Sequence, residues 1–78
     1  MSKIAQIDAV LQGQHYVCDN PLTAYCAARR VRNALRIQNP ARRLSTIREA
    51  LNAFRVTSWL TSEGRIELRR DGQPILTL

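Results

Sequence analysis

Residues 21–54 read PLTAYCAARRVRNALRIQNPARRLSTIREALNAF, and this stretch decides the fold. It holds two apolar patterns of helical period, separated by Asn39-Pro40. A proline disfavours helical geometry in the residue before it but is well tolerated in the first turn of a helix. The stretch therefore predicts two consecutive helices, the second of which starts at Pro40.

The first of these two helices is expected to start at Pro21, behind the capping pair Asp19-Asn20, and to run to about Gln38. Its apolar face consists of Ala24, Ala27, Ala28, Val31, Ala34 and Leu35, widened at the start by Leu22, Tyr25 and Cys26. The opposite side carries Arg29, Arg32 and Arg36. We therefore expect one face of this helix to pack and the other to be cationic.

The helix that starts at Pro40 is expected to include Arg55. Its apolar positions are Leu44, Ile47, Ala50, Leu51, Ala53 and Phe54. Its outer side carries a polar stripe at i, i+3, i+7 and i+10, formed by Ser45, Arg48, Asn52 and Arg55. Two guanidinium groups that flank a carboxamide can hydrogen-bond base edges, so this stripe is the candidate reading face.

An earlier helix is predicted over about residues 3–12, capped by Ser2 and stopped by Gly13, and residues 15–18 suit an extended connector. After the helices, residues 56–61 favour strand, although an extension of the helix stays open. Residues 65–70 alternate polar and apolar, Asp71-Gly72 makes a turn, and Pro74 opens a last edge strand. The expected fold is α+β in one domain over 1–78, with three helices followed by a small C-terminal antiparallel β-hairpin or meander.

The positive charge is concentrated in the middle of the chain. Residues 29–55 contain eight arginines and a single acid, Glu49, whereas the net charge of the whole chain is only +6. Eleven of the twelve basic residues are Arg, whose planar fork can hold two oxygens at once. The helix at residues 21–38 contains no acid, so its arginines lack intrahelical partners. This pattern predicts a partner that bears phosphates or carboxylates.

Several functional classes are disfavoured by what the sequence lacks. It has one histidine, no glycine-rich loop before a helix and no pair of carboxylates placed for acid and base roles, so neither an enzyme nor a cofactor is expected. His15, Cys18 and Cys26 supply three metal ligands where a structural zinc site needs four, and only Asp19 could complete it, so no metal is expected.

The apolar runs are too short for a membrane span and no export signal is evident, which predicts a cytoplasmic protein with reduced cysteines. Tyr16 and Trp59 are assigned to the core, because a domain with four aromatic residues usually needs them there.

Three short helices followed by a hairpin whose turn carries Arg69, Arg70 and Asp71-Gly72 resemble the winged helix-turn-helix architecture. In that architecture one helix enters the major groove and the hairpin touches the adjacent backbone. The expected second helix is longer than is usual there, and no glycine precedes Pro40. The resemblance implies a small DNA-binding regulator of transcription. The expected nucleic-acid contacts are Arg29, Arg32, Arg36, Arg42, Arg43, Ser45, Arg48, Asn52, Arg55, Arg69 and Arg70.

Two alternatives remain open at this point. The arginines could dock on an acidic protein surface, as in a small inhibitor or adaptor of phage or mobile-element type. RNA binding is disfavoured, because stacking aromatics are scarce. A homodimer is also plausible: the small residues Ala24 and Ala28 could pack against a second copy, or against the first helix of the same chain.

Overall fold

The computed structural model describes residues 2–14 and 21–78 of the chain. The elements in chain order are α1 (Lys3–Leu11), α2 (Pro21–Ala34), α3 (Pro40–Ala50), β1 (Thr57–Leu60), β2 (Ile66–Arg70) and β3 (Gln73–Thr77). The strands form one antiparallel sheet in the order β1-β2-β3. The predicted α+β fold, with three helices before a meander, is confirmed, and residues 57–60 are a strand.

The helices start where the local sequence predicts. Ser2 caps α1, and its hydroxyl accepts a hydrogen bond from the backbone N–H of Ala5 at 3.2 Å. Asn39 caps α3 in an extended conformation (φ −72°, ψ 117°), as the residue before a proline must. Its side chain accepts from the first free N–H groups of the helix. The predicted cap Asp19-Asn20 and the connector at 15–18 lie outside the described residues.

Both long helices end earlier than predicted. α2 stops at Ala34 instead of about Gln38, and the N–H groups of Arg36 and Ile37 bond three residues back, at 3.2 and 3.0 Å. α3 stops at Ala50, after which three turn residues lead the chain toward the sheet. Arg55 then donates its backbone N–H to the Gln14 carbonyl at 2.8 Å. That bond ties the chain to the end of α1, so Arg55 does not continue the helix.

The core lies between the helices and one face of the sheet. α1 packs on α2, α2 on α3, α3 on β1 and α1 on β3. Its members are Ile7, Leu11, Ala24, Ala27, Ala28, Val31, Ala34, Ile47, Ala50, Leu51, Phe54, Val56, Ile66, Leu68 and Leu78. The alanine face of α2 is therefore buried within one copy of the chain and is not available to a second copy. Leu22, Tyr25 and Cys26, expected to widen that face, are exposed instead.

The register of the sheet decides which strand residues face the helices. Ser58 lies opposite Leu68, and both are buried. Because neighbouring residues of a strand point to opposite faces, Trp59 is directed away from the helices and is 47% exposed. The assignment of Trp59 to the core is wrong, and Tyr16 lies outside the described residues. Ser58, and not Trp59, is the residue of β1 that faces the core.

The hairpin between β2 and β3 has the predicted turn. Asp71 and Gly72 both have positive φ, at 52° and 79°, which gives the mirror-image turn that suits two-residue hairpins. Pro74 lies in β3, which is an edge strand of the sheet, as predicted. No helix within residues 2–14 or 21–78 has the length and apolar character needed to cross a membrane.

Replacement of Leu68 by alanine should remove about 2–5 kcal/mol of unfolding free energy, because the side chain is fully buried. A domain of this size has about 3–5 kcal/mol to lose, so the variant should be largely unfolded at 37 °C. Leu60→Ala is the matched control, since Leu60 lies on the adjacent strand and is 43% exposed. Urea denaturation followed by circular dichroism would measure both, and equal losses would contradict the assigned core.

Candidate functional site

The outer side of α2 forms the first part of the candidate site. Arg29 and Arg32 lie on the sides of α2 away from the buried alanines, and Arg36 lies in the turn that follows the helix; Arg29 and Arg36 are exposed and Arg32 is half-buried. Arg32 Nε donates to Asn33 Oδ1 at 3.0 Å. We call these three residues the α2 stripe. Because α2 ends at Ala34, Arg36 belongs to the segment that leads to α3.

The α2 stripe is not neutralised by the described part of the chain. α2 contains no acidic residue. Arg29, Arg32 and Arg36 form no ion pair with any carboxylate among residues 2–14 and 21–78. Arg30, on the flank of α2, and Arg42, on α3, likewise form none with these residues. These guanidinium groups therefore keep their full charge toward an incoming ligand.

Arg43 is used inside the fold. Its Nε donates to the Ile37 carbonyl at 2.8 Å, and a terminal nitrogen donates to the Gln38 carbonyl at 3.2 Å. These bonds hold the segment that joins α2 to α3, where the α-helical hydrogen bonds have ended. The neighbouring Arg42 is exposed, and its side chain makes no hydrogen bond to the described residues. Both arginines were expected to contact nucleic acid, and Arg42 is better placed to do so than Arg43.

Arg48 joins α3 to the edge of the sheet. Its Nε and one terminal nitrogen both donate to the Ser58 carbonyl, at 3.3 and 3.2 Å. This fork occupies a backbone acceptor on β1, the edge strand, which would otherwise be open to another chain. The side chain stays exposed. Arg48 is thus held in place by the protein, although its remaining N–H groups can still reach a ligand.

The predicted polar stripe of α3 is partly assembled. Ser45, Arg48 and Asn52 line one open groove, together with Ala41, Leu44 and Glu49. Arg55 does not line this groove, because the helix ends before it. Glu49, which sequence reasoning treated only as the single acid of the region, lies in the groove and lowers its positive charge.

A second groove continues from the first toward the sheet. It shares Arg48 and Asn52 with the first groove and reaches Ser58 and Thr57. The Ser58 hydroxyl is buried and has no hydrogen-bond partner among the described residues. Arg48 and Asn52 therefore lie at the junction of a continuous groove that runs along α3 to β1.

The hairpin arginines differ from one another. Arg69 is ion-paired with Glu67 on the outer face of the sheet, and its guanidinium carbon lies 5.0 Å from the centre of the Trp59 ring. Arg70 is exposed beside the turn. Trp59, which was expected in the core, is a surface residue of this face. The alternation of Thr57, Ser58 and Trp59 indicates opposite faces, but it does not say which face is buried.

Two other sequence hypotheses concern cysteine and metal. Cys26 is exposed on α2, while His15, Cys18 and Asp19 lie outside the described residues. Within residues 2–14 and 21–78, no group of three potential metal ligands comes together. Comparisons of the chain with family models, with curated proteins and with solved structures give no match.

Replacement of Arg43 by alanine should lower the unfolding free energy by about 1.5 kcal/mol, because two carbonyls lose a charged donor. Arg42→Ala, at the next position of the same helix, is the control and should change it by less than about 0.5 kcal/mol. Thermal or urea unfolding of the two variants would measure the difference. Equal stability of both would show that Arg43 does not hold the α2–α3 connection.

Proposed function

We propose that the protein is cytoplasmic, binds double-stranded DNA and regulates transcription. The observation that carries the proposal is the α2 stripe: two arginines on a helix that contains no acid and a third just beyond the end of that helix, without an ion pair to any described carboxylate. The phosphate backbone of DNA is a dense, regular array of negative charges that such a stripe can follow.

The energetics of the stripe support an anionic partner. Arg29 and Arg32 are spaced i, i+3 on α2, so their side chains are neighbours on the helix surface. Like charges on neighbouring side chains destabilise a helix by about 0.2–0.5 kcal/mol per pair. A bound polyanion removes this repulsion and replaces it with attraction. Binding of a polyanion should therefore stabilise α2.

The roles of the other residues follow from their contacts. The side chains of Ser45 and Asn52 line the α3 groove and make no hydrogen bond to the described residues, so we assign base contacts to them. Arg48, anchored to the Ser58 carbonyl, has fewer donors left for a base edge and contacts phosphate instead. We assign phosphate contacts also to Arg42, Arg55 and Arg70, while Arg43 and Arg69 position the surface. In this proposal the hairpin acts as the wing of a winged helix-turn-helix domain.

One observation favours a second candidate, which is docking on an acidic protein surface. Leu22 and Tyr25 are 65% and 44% exposed, and together with Arg29 they follow one side of α2 at i, i+3 and i+7. Tyrosine and arginine are enriched at protein interfaces. An inhibitor or adaptor would use this mixed apolar and cationic side of α2 instead of the groove on α3.

Duplex affinity should fall steeply with salt. About five phosphate contacts give a slope near −4.5 in a plot of log affinity against log salt, and removal of one contact lowers its magnitude by about 0.9. Arg29→Ala should therefore flatten the slope, whereas Lys3→Ala, on α1, should not. Fluorescence anisotropy of a labelled duplex at several salt concentrations measures this. Equal affinity at low and high salt would remove the proposal.

Two further variants, Tyr25→Ala and Asn52→Ala, separate the two candidates. If the partner is an acidic protein, duplex binding is weak at physiological salt and Tyr25→Ala disrupts a complex of defined stoichiometry. If the partner is DNA, Tyr25→Ala leaves the affinity for duplex unchanged, while Asn52→Ala reduces the preference for a specific site over random DNA.

A further inference from the structure

We propose that Glu49 is a specificity-determining residue that accepts a hydrogen bond from the amino group of a cytosine in the major groove. This inference rests on the proposed duplex binding and adds a base preference to it. Glu49 is exposed on α3 and lines the α3 groove beside Ser45 and Asn52, the two residues to which we assign base contacts. The carboxylate therefore lies where a base edge would enter.

The Glu49 carboxylate is not used by the described part of the fold. Residues 29–55 hold eight arginines and this one acid. Even so, the Glu49 side chain makes no ion pair or hydrogen bond with residues 2–14 and 21–78. Arg30 lines the groove between α2 and α3 together with Glu49 and still does not pair with it. The acceptor oxygens of Glu49 therefore remain available to a ligand.

The charge of Glu49 restricts what can enter the α3 groove. A carboxylate repels phosphate oxygens, so the DNA backbone is directed to the α2 stripe and not into this groove. A cationic ligand is repelled in turn, because Arg48 lines the same groove. A neutral N–H donor meets neither penalty, and the amino groups of the bases are such donors.

The pattern of groups in the major groove selects cytosine among the bases. Guanine presents two acceptors there, thymine an acceptor and a methyl group, and adenine an acceptor beside its amino group. Each of these acceptors opposes the oxygens of a carboxylate. Cytosine presents its amino donor without an acceptor of its own, and it pairs with carboxylate side chains. The carboxamide of Asn52 prefers adenine instead, so the two residues read different bases.

Selection from a randomised duplex pool gives the preferred site of the unmodified protein, which should contain a cytosine. Replacement of that cytosine by another base should weaken binding between about 5-fold and 150-fold, as for one mismatched base pair. In Glu49→Ala this discrimination should vanish. In Glu49→Gln the preference should shift to adenine, because a carboxamide pairs with that base. N4-methylcytosine keeps the base pair but loses the free amino hydrogen, so the unmodified protein should bind it as weakly as a mismatch.

Glu63→Ala is the matched control. Glu63 is exposed between β1 and β2 and lines neither groove on α3, and its removal changes the net charge by the same amount. This variant should keep the base preference. Glu49→Ala should strengthen binding to random duplex more than Glu63→Ala does, because a charge that repels phosphate is lost from the groove.

Two results would overturn the inference: a selected site without a cytosine, or equal discrimination in Glu49→Ala and the unmodified protein. Circular dichroism verifies the fold of each variant. The test with N4-methylcytosine uses the unmodified protein, so it stands even where a variant unfolds. If the unmodified protein binds no duplex at all, the proposed function fails and this inference fails with it. Duplex binding without a role for Glu49 contradicts this inference and leaves the proposed function intact.

Discussion

The packing of α2 through small side chains is the constraint on which the rest of the molecule depends. Ala24, Ala27, Ala28 and Val31 are all buried where α2 meets α1 and α3. Small residues let helix axes approach closely, and in a short chain this gives a continuous core with little apolar volume. The same packing puts every arginine of α2 on the sides that remain. The basic surface is thus a direct consequence of how the core is built.

The arginines serve two purposes, and the structure separates them. Arg43 and Arg48 use their donors on backbone carbonyls at places where regular hydrogen bonding stops, between α2 and α3 and at the edge of β1. Arg65 does the same for the carbonyl of Leu78 at 3.3 Å. A small core has few other means of fixing such junctions. Fewer guanidinium groups are therefore available to a partner than the number of arginines suggests. The α2 stripe makes no ion pair with the described residues and remains available.

The starts of the helices could be predicted from the sequence because capping is local: Ser2, Pro21 and Asn39-Pro40 determine them within a few residues. The ends were predicted too late: the backbone N–H of Arg55, for example, bonds to the distant Gln14 carbonyl and does not continue the helix. Ser45 and Asn52 line the same groove, as predicted. Arg55 does not line this groove, because α3 ends before it. Trp59 is exposed because the opposite face of β1 is buried. The sequence did not indicate this, because the buried residue of β1 is Ser58 and not an apolar residue.

The α2 stripe has no carboxylate partner among residues 2–14 and 21–78, so we expect its like charges to repel one another in the free protein. The most direct measurement is the unfolding free energy of Arg29→Glu at low and high salt, with Arg29→Gln as the neutral control. An acid at position 29 would pair with Arg32 at i, i+3, so Arg29→Glu should gain about 0.2–0.5 kcal/mol of unfolding free energy, and this gain should disappear at high salt. A loss of stability at low salt would show that Arg29 already has a negative partner within the chain and would contradict the account.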